Sequence, residues 1–397
     1  MLLPAALALL LLCLVGYAVS AEYLLRVRTT DRRQLHPNGL VRAGRSVRAL
    51  GLRTVLGLAA WPHVVELALG LHRTATGCTP RYPFEMSGPV TLWRYGAGEG
   101  APVLLVHSLV TGTSVLDLRP GNSLVEALVT AGHDVWLLDW GRPDARHSGS
   151  GLDGYGWLLQ EAEAFVRTAS GQDVHVVGYC AGGLLAAAWH AAHGHVGVAS
   201  LSLVATPIDT AAAGGMMSLL RGRAALPGLV LDGNGLVPAA VVREAFHVLR
   251  PQAVTTMRKL LARRGEPAFT AYAGALGRWA WDQSPVPGAL AFDLVDLARG
   301  NALLAGSLTI GGRRADLRSL AGLPLLLVTT VRDHIVPPGS SLALRSVPGL
   351  SVSELQCTAG HVAMLTGGEA HRVLYPGLVR WLSEDRRPRP TAAPARA

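Results

Sequence analysis

The sequence predicts an α/β fold: a mostly parallel central sheet with helices packed on it and a helical cap insertion. Three observations point there. Short runs rich in Val and Leu alternate with helix-like segments through most of the chain. A Gly-x-Cys-x-Gly pentad, Gly178 to Gly182, stands where one such run meets an Ala-rich helix. Between Asp209 and Gly306 the alternation stops. There, helical segments broken by Pro227, Pro238, Pro251, Pro267 and Pro285 take over, with no strand pattern.

Taken in order, residues 1–21 carry no charged side chain and are rich in Leu, Ala and Val. As a helix rising about 1.5 Å per residue, they reach across a hydrocarbon core of roughly 30 Å. A cleaved signal peptide, implying export, suits Ala18, Ser20 and Ala21 but lacks a leading positive segment. A retained anchor fits better, because the nearby arginines all follow the apolar run. That arrangement places the body on the cytoplasmic side of the membrane. Residues 22–85 form an Arg-rich juxtamembrane and N-terminal region. Its eight arginines between positions 22 and 60, set against Glu22 and Asp31, are expected to lie on anionic lipid headgroups.

Strands are expected at Val90–Tyr95, Val103–His107, Asp134–Asp139, Val174–Gly178, Val198–Ala205, Leu323–Thr330 and Val352–Leu355. Helices are expected near Ser123–Thr130, at Leu158–Ala169, and from the pentad to about Ala192. The resulting organisation is a core in two parts, 86–208 and 307–385, separated by a cap insertion at 209–306. A disordered Pro- and Arg-rich tail follows at 386–397.

Half of the 397 residues are apolar and 16% are charged, enough to bury a substantial core. The net charge of +9 is concentrated in the two flanks, and the body between them is nearly neutral. With no nucleic-acid motif beside it, this distribution excludes a nucleic-acid partner. Cysteines at 13, 78, 180 and 357 match no zinc spacing. Cys78 and Cys357 read as small buried side chains rather than as a pair.

The pentad carries the chemistry. Glycines on both sides of a sharp strand-to-helix turn let a lone side chain project above the sheet edge, the nucleophile elbow of the α/β-hydrolase fold. Here that side chain is Cys180, at a helix N-terminus whose dipole favours negative charge. The Ala181 backbone N–H supplies half of an oxyanion hole, and Leu109, in the loop after Val103–His107, supplies the other half. The acid and base should follow in that order on loops after late strands. Asp333 follows Leu323–Thr330 and His361 follows Val352–Leu355. His361 takes and returns protons while Asp333 orients it. Asp209 is an alternative acid, Asp139 reads as structural, and His334 reads as a group supporting Asp333. No metal or tightly held cofactor is indicated.

Further segments surround this constellation: Val115-Leu116-Asp117-Leu118-Arg119-Pro120, Asp134 to Gly141, Gly178-Tyr179-Cys180-Ala181-Gly182-Gly183, Ala205 to Asp209, Asn301 to Gly306, Gly311-Gly312-Arg313, Asp333 to Pro337 and Gly360-His361. With them the chain resembles the polyhydroxyalkanoate synthases, closest to the short class III catalytic subunit. The resemblance spans about residues 88–380. It implies a Cys–His–Asp triad of Cys180, His361 and Asp333, a 3-hydroxyacyl-coenzyme A substrate, and a growing polyester held on the thiol. It also implies a second synthase subunit or a homodimer as partner, and a cytoplasmic granule surface as an alternative to the membrane for residues 1–60. Coenzyme A enters only as leaving group, with Arg258, Arg263 and Arg264 as candidates for its phosphates. Where the family commonly has an Asn-Arg-Pro-Tyr-like stretch, this chain has Thr111-Gly112-Thr113-Ser114. The same triad also suits a thioesterase, esterase or polyester depolymerase, and a third alternative is a non-catalytic membrane-anchored binding protein.

Overall fold

In the computed structural model, the described residues are 75–384, apart from 97, 222–230, 249–261 and 264–265. Eight strands form one sheet: β1 Arg81–Glu85, β2 Thr91–Tyr95, β3 Pro102–Val106, β4 Asp134–Asp139, β5 Val174–Tyr179, β6 Val198–Val204, β7 Leu325–Thr330 and β8 Val352–Cys357. Their spatial order is β1-β2-β4-β3-β5-β6-β7-β8. β1 and β2 pair antiparallel with each other, and β2 with β4; every later pairing is parallel. The mostly parallel sheet is therefore as the sequence predicts.

β1 is an addition. It lies in the stretch assigned to the Arg-rich N-terminal region, so the sheet begins before residue 86. Its sequence Arg-Tyr-Pro-Phe-Glu gives no alternation, and Pro83 reads as a breaker. At an edge the missing N–H of proline can face outward, so the strand forms regardless.

Period-two alternation sorts the strand side chains between two cores. Leu104, Val106, Trp136, Leu138, Val174 and Val176 face one side, with α2 (Leu152–Ser170) and α3 (Ala181–His193). Val103, Leu105, Val135, Leu137, Val177 and Tyr179 face the other. That face is covered by α1 (Leu124–Thr130) and by a C-terminal helix at Tyr375–Ser383. With both faces covered, β3 is buried along its whole length, which is why it reads as a continuous apolar run. Ser123 caps α1, accepting from the Glu126 amide at 2.9 Å.

α2 starts at Leu152, six residues before the predicted helix. Gly154 and Gly156 mask it in the sequence. At Gly156 a Cβ would lie 2.0 Å from the Trp189 ring, so the glycine is a packing requirement where α2 crosses α3. The Tyr375–Ser383 helix was hidden in the same way by Pro376 and Gly377 in its first turn.

The insertion is mostly helical: α4 Gly215–Arg221, α5 Ala239–Val248, α6 Pro267–Trp281 and α7 Gly288–Gly300. The expectation that it holds no strand is corrected, because Leu236–Val237 pairs antiparallel with Val286–Pro287. Two-residue ladders are too short to show a period. Cys78 is exposed, which corrects its reading as a buried side chain. Its neighbour Thr79 is the one that turns inward, donating to Asp117 through amide and hydroxyl. Cys357 is buried as expected, and Cys78, Cys180 and Cys357 are all free thiols. No helix among the described residues is long and apolar enough to cross a membrane. The anchor at 1–21, the arginines at 22–60, Arg258, Arg264 and the tail at 386–397 lie outside those residues.

Candidate active site

β5 runs into Cys180, which adopts φ 54° and ψ −121° and caps α3. A positive φ is unfavourable for a non-glycine side chain, so the surrounding packing must impose it. The glycines explain how. A Cβ at Gly178 would lie 2.3 Å from Gly183 Cα, one at Gly182 would lie 2.2 Å from the His107 carbonyl oxygen, and one at Gly183 would lie 2.1 Å from Thr206 Oγ1. Strand, turn and helix thus close on one another, and the Cys180 amide is tied to the Val204 carbonyl at 2.8 Å. The Cys180 side chain is left half-buried at the apex.

Asp333 and His361 stand on the loops after β7 and β8, which are paired neighbours in the sheet. Asp333 Oδ1 accepts from the Ile335 and Val336 amides, both at 2.8 Å. Its other oxygen accepts from His361 Nδ1 at 2.6 Å, and both side chains are buried. The carboxylate is therefore held from one side by backbone and holds the imidazole from the other. With Nδ1 donating to Asp333, Nε2 is the nitrogen left for the hydrogen bond with Cys180. Structure thus brings together three residues separated by more than 180 positions of sequence.

Burial alone would lower the pKa of His361. The charge of Cys180 as thiolate, followed by the hydrogen bond and charge of Asp333, outweighs it and holds the imidazolium up to about 10. The sign follows for a variant: Cys180→Ala removes the largest raising influence and leaves burial in place, so the His361 titration should move down. Imidazole NMR across pH 5–11 checks this; an unchanged midpoint would show that the sulfur does not govern His361.

Sequence reasoning missed Tyr179. Its ring lies 5.1 Å from the His361 ring, and its hydroxyl donates to the His361 carbonyl at 3.4 Å. It thus supports the histidine loop from the residue next to Cys180. Thr330 was missed as well; its hydroxyl donates to the Ala359 carbonyl, fastening the same loop to the end of β7. Both read as ordinary strand ends, and only their positions beside Cys180 and Asp333 hint at more.

Leu109 and Ala181 are both buried in one apolar cluster. The start of α3 presses on the loop after β3 at the His107 carbonyl, the approach that a shared oxyanion hole needs. The cap meets that loop too, with Trp279 Nε1 of α6 donating to the Gly112 carbonyl at 3.2 Å. Asp209 is engaged elsewhere. Its Oδ1 accepts from the Ala211 and Ala212 amides and from Asn301 Nδ2, fastening the base of the cap. Asp139 accepts from Trp93 Nε1 and the Gly141 amide. His334 is exposed, with its carbonyl packed where a Gly214 Cβ would be. Among the described residues no three His, Cys, Asp or Glu side chains converge as metal ligands.

Residues 101–367 match the family described as alpha/beta hydrolase fold. The poly(3-hydroxyalkanoate) polymerase subunit PhaC of Allochromatium vinosum is 26% identical over 332 residues, covering 81% of this chain and 93% of that protein. The subunit of the same name from Synechocystis sp. is 27% identical over 325 residues, covering 78% of this chain and 85% of that protein. Among solved structures, an esterase from Rhodococcus sp. is similar with a TM-score of 0.45 at 17% identity, covering 77% of this chain and 98% of that one. The resemblance read from the sequence is borne out by these relatives.

Proposed function

Because this chain belongs to the α/β-hydrolase family, we propose that it works as an acyltransferase through a Cys180 thioester, polymerising 3-hydroxyacyl units delivered on coenzyme A. The observation that carries this reading is the buried chain of contacts Asp333–His361–Cys180, in which one imidazole serves a thiol rather than a hydroxyl. The relatives named as poly(3-hydroxyalkanoate) polymerase subunits support the choice of substrate.

The Cys180 thiolate attacks the thioester carbonyl, and the oxyanion is met by the N–H groups of Ala181 and Leu109. The carbon–sulfur bond to coenzyme A breaks, and the His361 imidazolium protonates the departing thiolate. Neutral His361 then takes the proton from the 3-hydroxyl of a second hydroxyacyl-coenzyme A, whose oxygen attacks the acyl-Cys180 carbonyl. An ester forms, the Cys180 thiolate is released, and the lengthened chain on coenzyme A re-acylates it. A thioester keeps the acyl group activated for such an attack, and a cap closing over the site keeps water from competing.

Incubation with 3-hydroxybutyryl-coenzyme A tests the reading. Thiol release accompanied by polymer is the expected result. Thiol release with only free 3-hydroxybutyrate would replace it with a thioesterase, and no thiol release would end it.

A further inference from the structure

Next to the turn that carries His361 is a pocket of about 340 Å³. Its lining includes Arg119, Arg263, Phe269, Tyr272, Thr366 and Glu266. Arg119 reaches Asn122 Oδ1 through Nη1 at 3.1 Å. Arg263 lies with its guanidinium carbon 4.2 Å from the centre of the Phe269 ring and pairs with Glu266. The Tyr272 and Thr366 hydroxyls are hydrogen-bonded at 3.1 Å. Thr366 in turn donates to the Val362 carbonyl, which places it one helical turn beyond the residue that follows His361. Tyr272 also belongs to the apolar layer against which Cys180 packs. Pocket and thiol therefore border the same apolar cluster on that face of the sheet.

Two guanidinium groups and two aromatic rings lining one pocket suit a phosphorylated purine nucleotide. Arginine forks match phosphate oxygens, and the rings offer stacking faces. The size is at the lower end of small-molecule sites, roughly 300–1,000 Å³. A polyester chain carries ester carbonyls but no charge, so it offers two arginines no anion to pair with. We infer that this pocket receives the 3′-phosphorylated adenosine diphosphate head of coenzyme A, with the pantetheine arm passing over Tyr272 towards Cys180. Arg263 exchanges Glu266 for a phosphate, and Arg119 contributes from the opposite sequence segment. This inference rests on the coenzyme A thioester reading, but its test needs no turnover.

The test is calorimetric titration of the full chain with free coenzyme A, with 3′-dephospho-coenzyme A and with inorganic phosphate. Arg119→Gln and Arg263→Gln should each raise the coenzyme A Kd about tenfold, and the pair about a hundredfold, with Arg119→Lys recovering part of the loss. Arg146→Gln, an exposed arginine held by Asp144, should leave the Kd unchanged. Removing the 3′-phosphate from the ligand should weaken binding to the unmodified chain. The proposal is overturned if the double variant binds within twofold of the unmodified chain, if inorganic phosphate binds as tightly as coenzyme A, or if coenzyme A does not bind. Thermal melts that match the unmodified chain exclude misfolding of a variant. Arginine-dependent binding without thiol release would leave the pocket standing and remove the acyltransferase reading. Thiol release without arginine-dependent binding would do the reverse.

Discussion

Cys180→Ala should lower the turnover of 3-hydroxybutyryl-coenzyme A by about 10⁴-fold or more, the scale on which a nucleophile acting as one unit with its base is lost. The side chain is half-buried at the apex of a turn whose backbone is held by Gly178, Gly182 and Gly183, so truncating it leaves the turn intact. Among the described residues no other thiol can substitute. Cys357 is buried at the end of β8, and Cys78 lies exposed in the segment that leads into β1. Steady-state release of coenzyme A thiol is the measurement, together with mass spectrometry of the protein after brief exposure to substrate. The unmodified chain should carry an acyl adduct on the Cys180 peptide, and the variant none. Residual turnover above about one per cent, or an adduct elsewhere, would remove Cys180 from the role of nucleophile.

Asp333→Asn is the second large effect, expected at about 10³–10⁴-fold in kcat with little change in KM. The substitution keeps shape and volume but alters what His361 can do. Asn Oδ1 can still accept from the Ile335 and Val336 amides, which leaves the amide NH₂ facing His361 Nδ1. Two donors cannot share that 2.6 Å contact, so the ring must place its hydrogen on Nε2 and present a donor, not an acceptor, to the sulfur. The negative charge that helps hold the imidazolium is lost as well, and the His361 titration should move downwards with it. A fall in kcat of less than tenfold would mean that Asp333 is only a structural partner. Asp209→Asn gives the contrast: it acts at the base of the cap through Asn301 and should disturb stability more than kcat.

The elbow was legible in the sequence because it is local. Three glycines and a cysteine at the end of an apolar run must turn sharply, and the structure shows each glycine of the turn in contact with backbone or Thr206. Asp333 and His361 were legible through order, since each stands just beyond a late strand. Tyr179 and Thr330 were not legible, because their contribution is a contact to the His361 loop, three strands away for Tyr179 and one for Thr330. β1 and the C-terminal helix were hidden by Pro83, Pro376 and Gly377. Proline at a sheet edge or in a helix's first turn is harmless, but sequence pattern alone does not tell those positions from interior ones.

Apolar periodicity and turn chemistry therefore determined the fold class, the strand–elbow–helix unit and the candidate trio by themselves, since these depend on neighbours within about a dozen residues. The tertiary structure decided what depends on distant segments meeting. The strand order, the 2.6 Å contact of Asp333 with His361, and the meeting of Arg119 with Arg263 around one pocket all arise where segments far apart in the chain fold onto a single sheet. Burial supplies the free energy for such meetings and is nearly indifferent to sequence separation, whereas periodicity in the chain carries no record of which face a remote loop will reach.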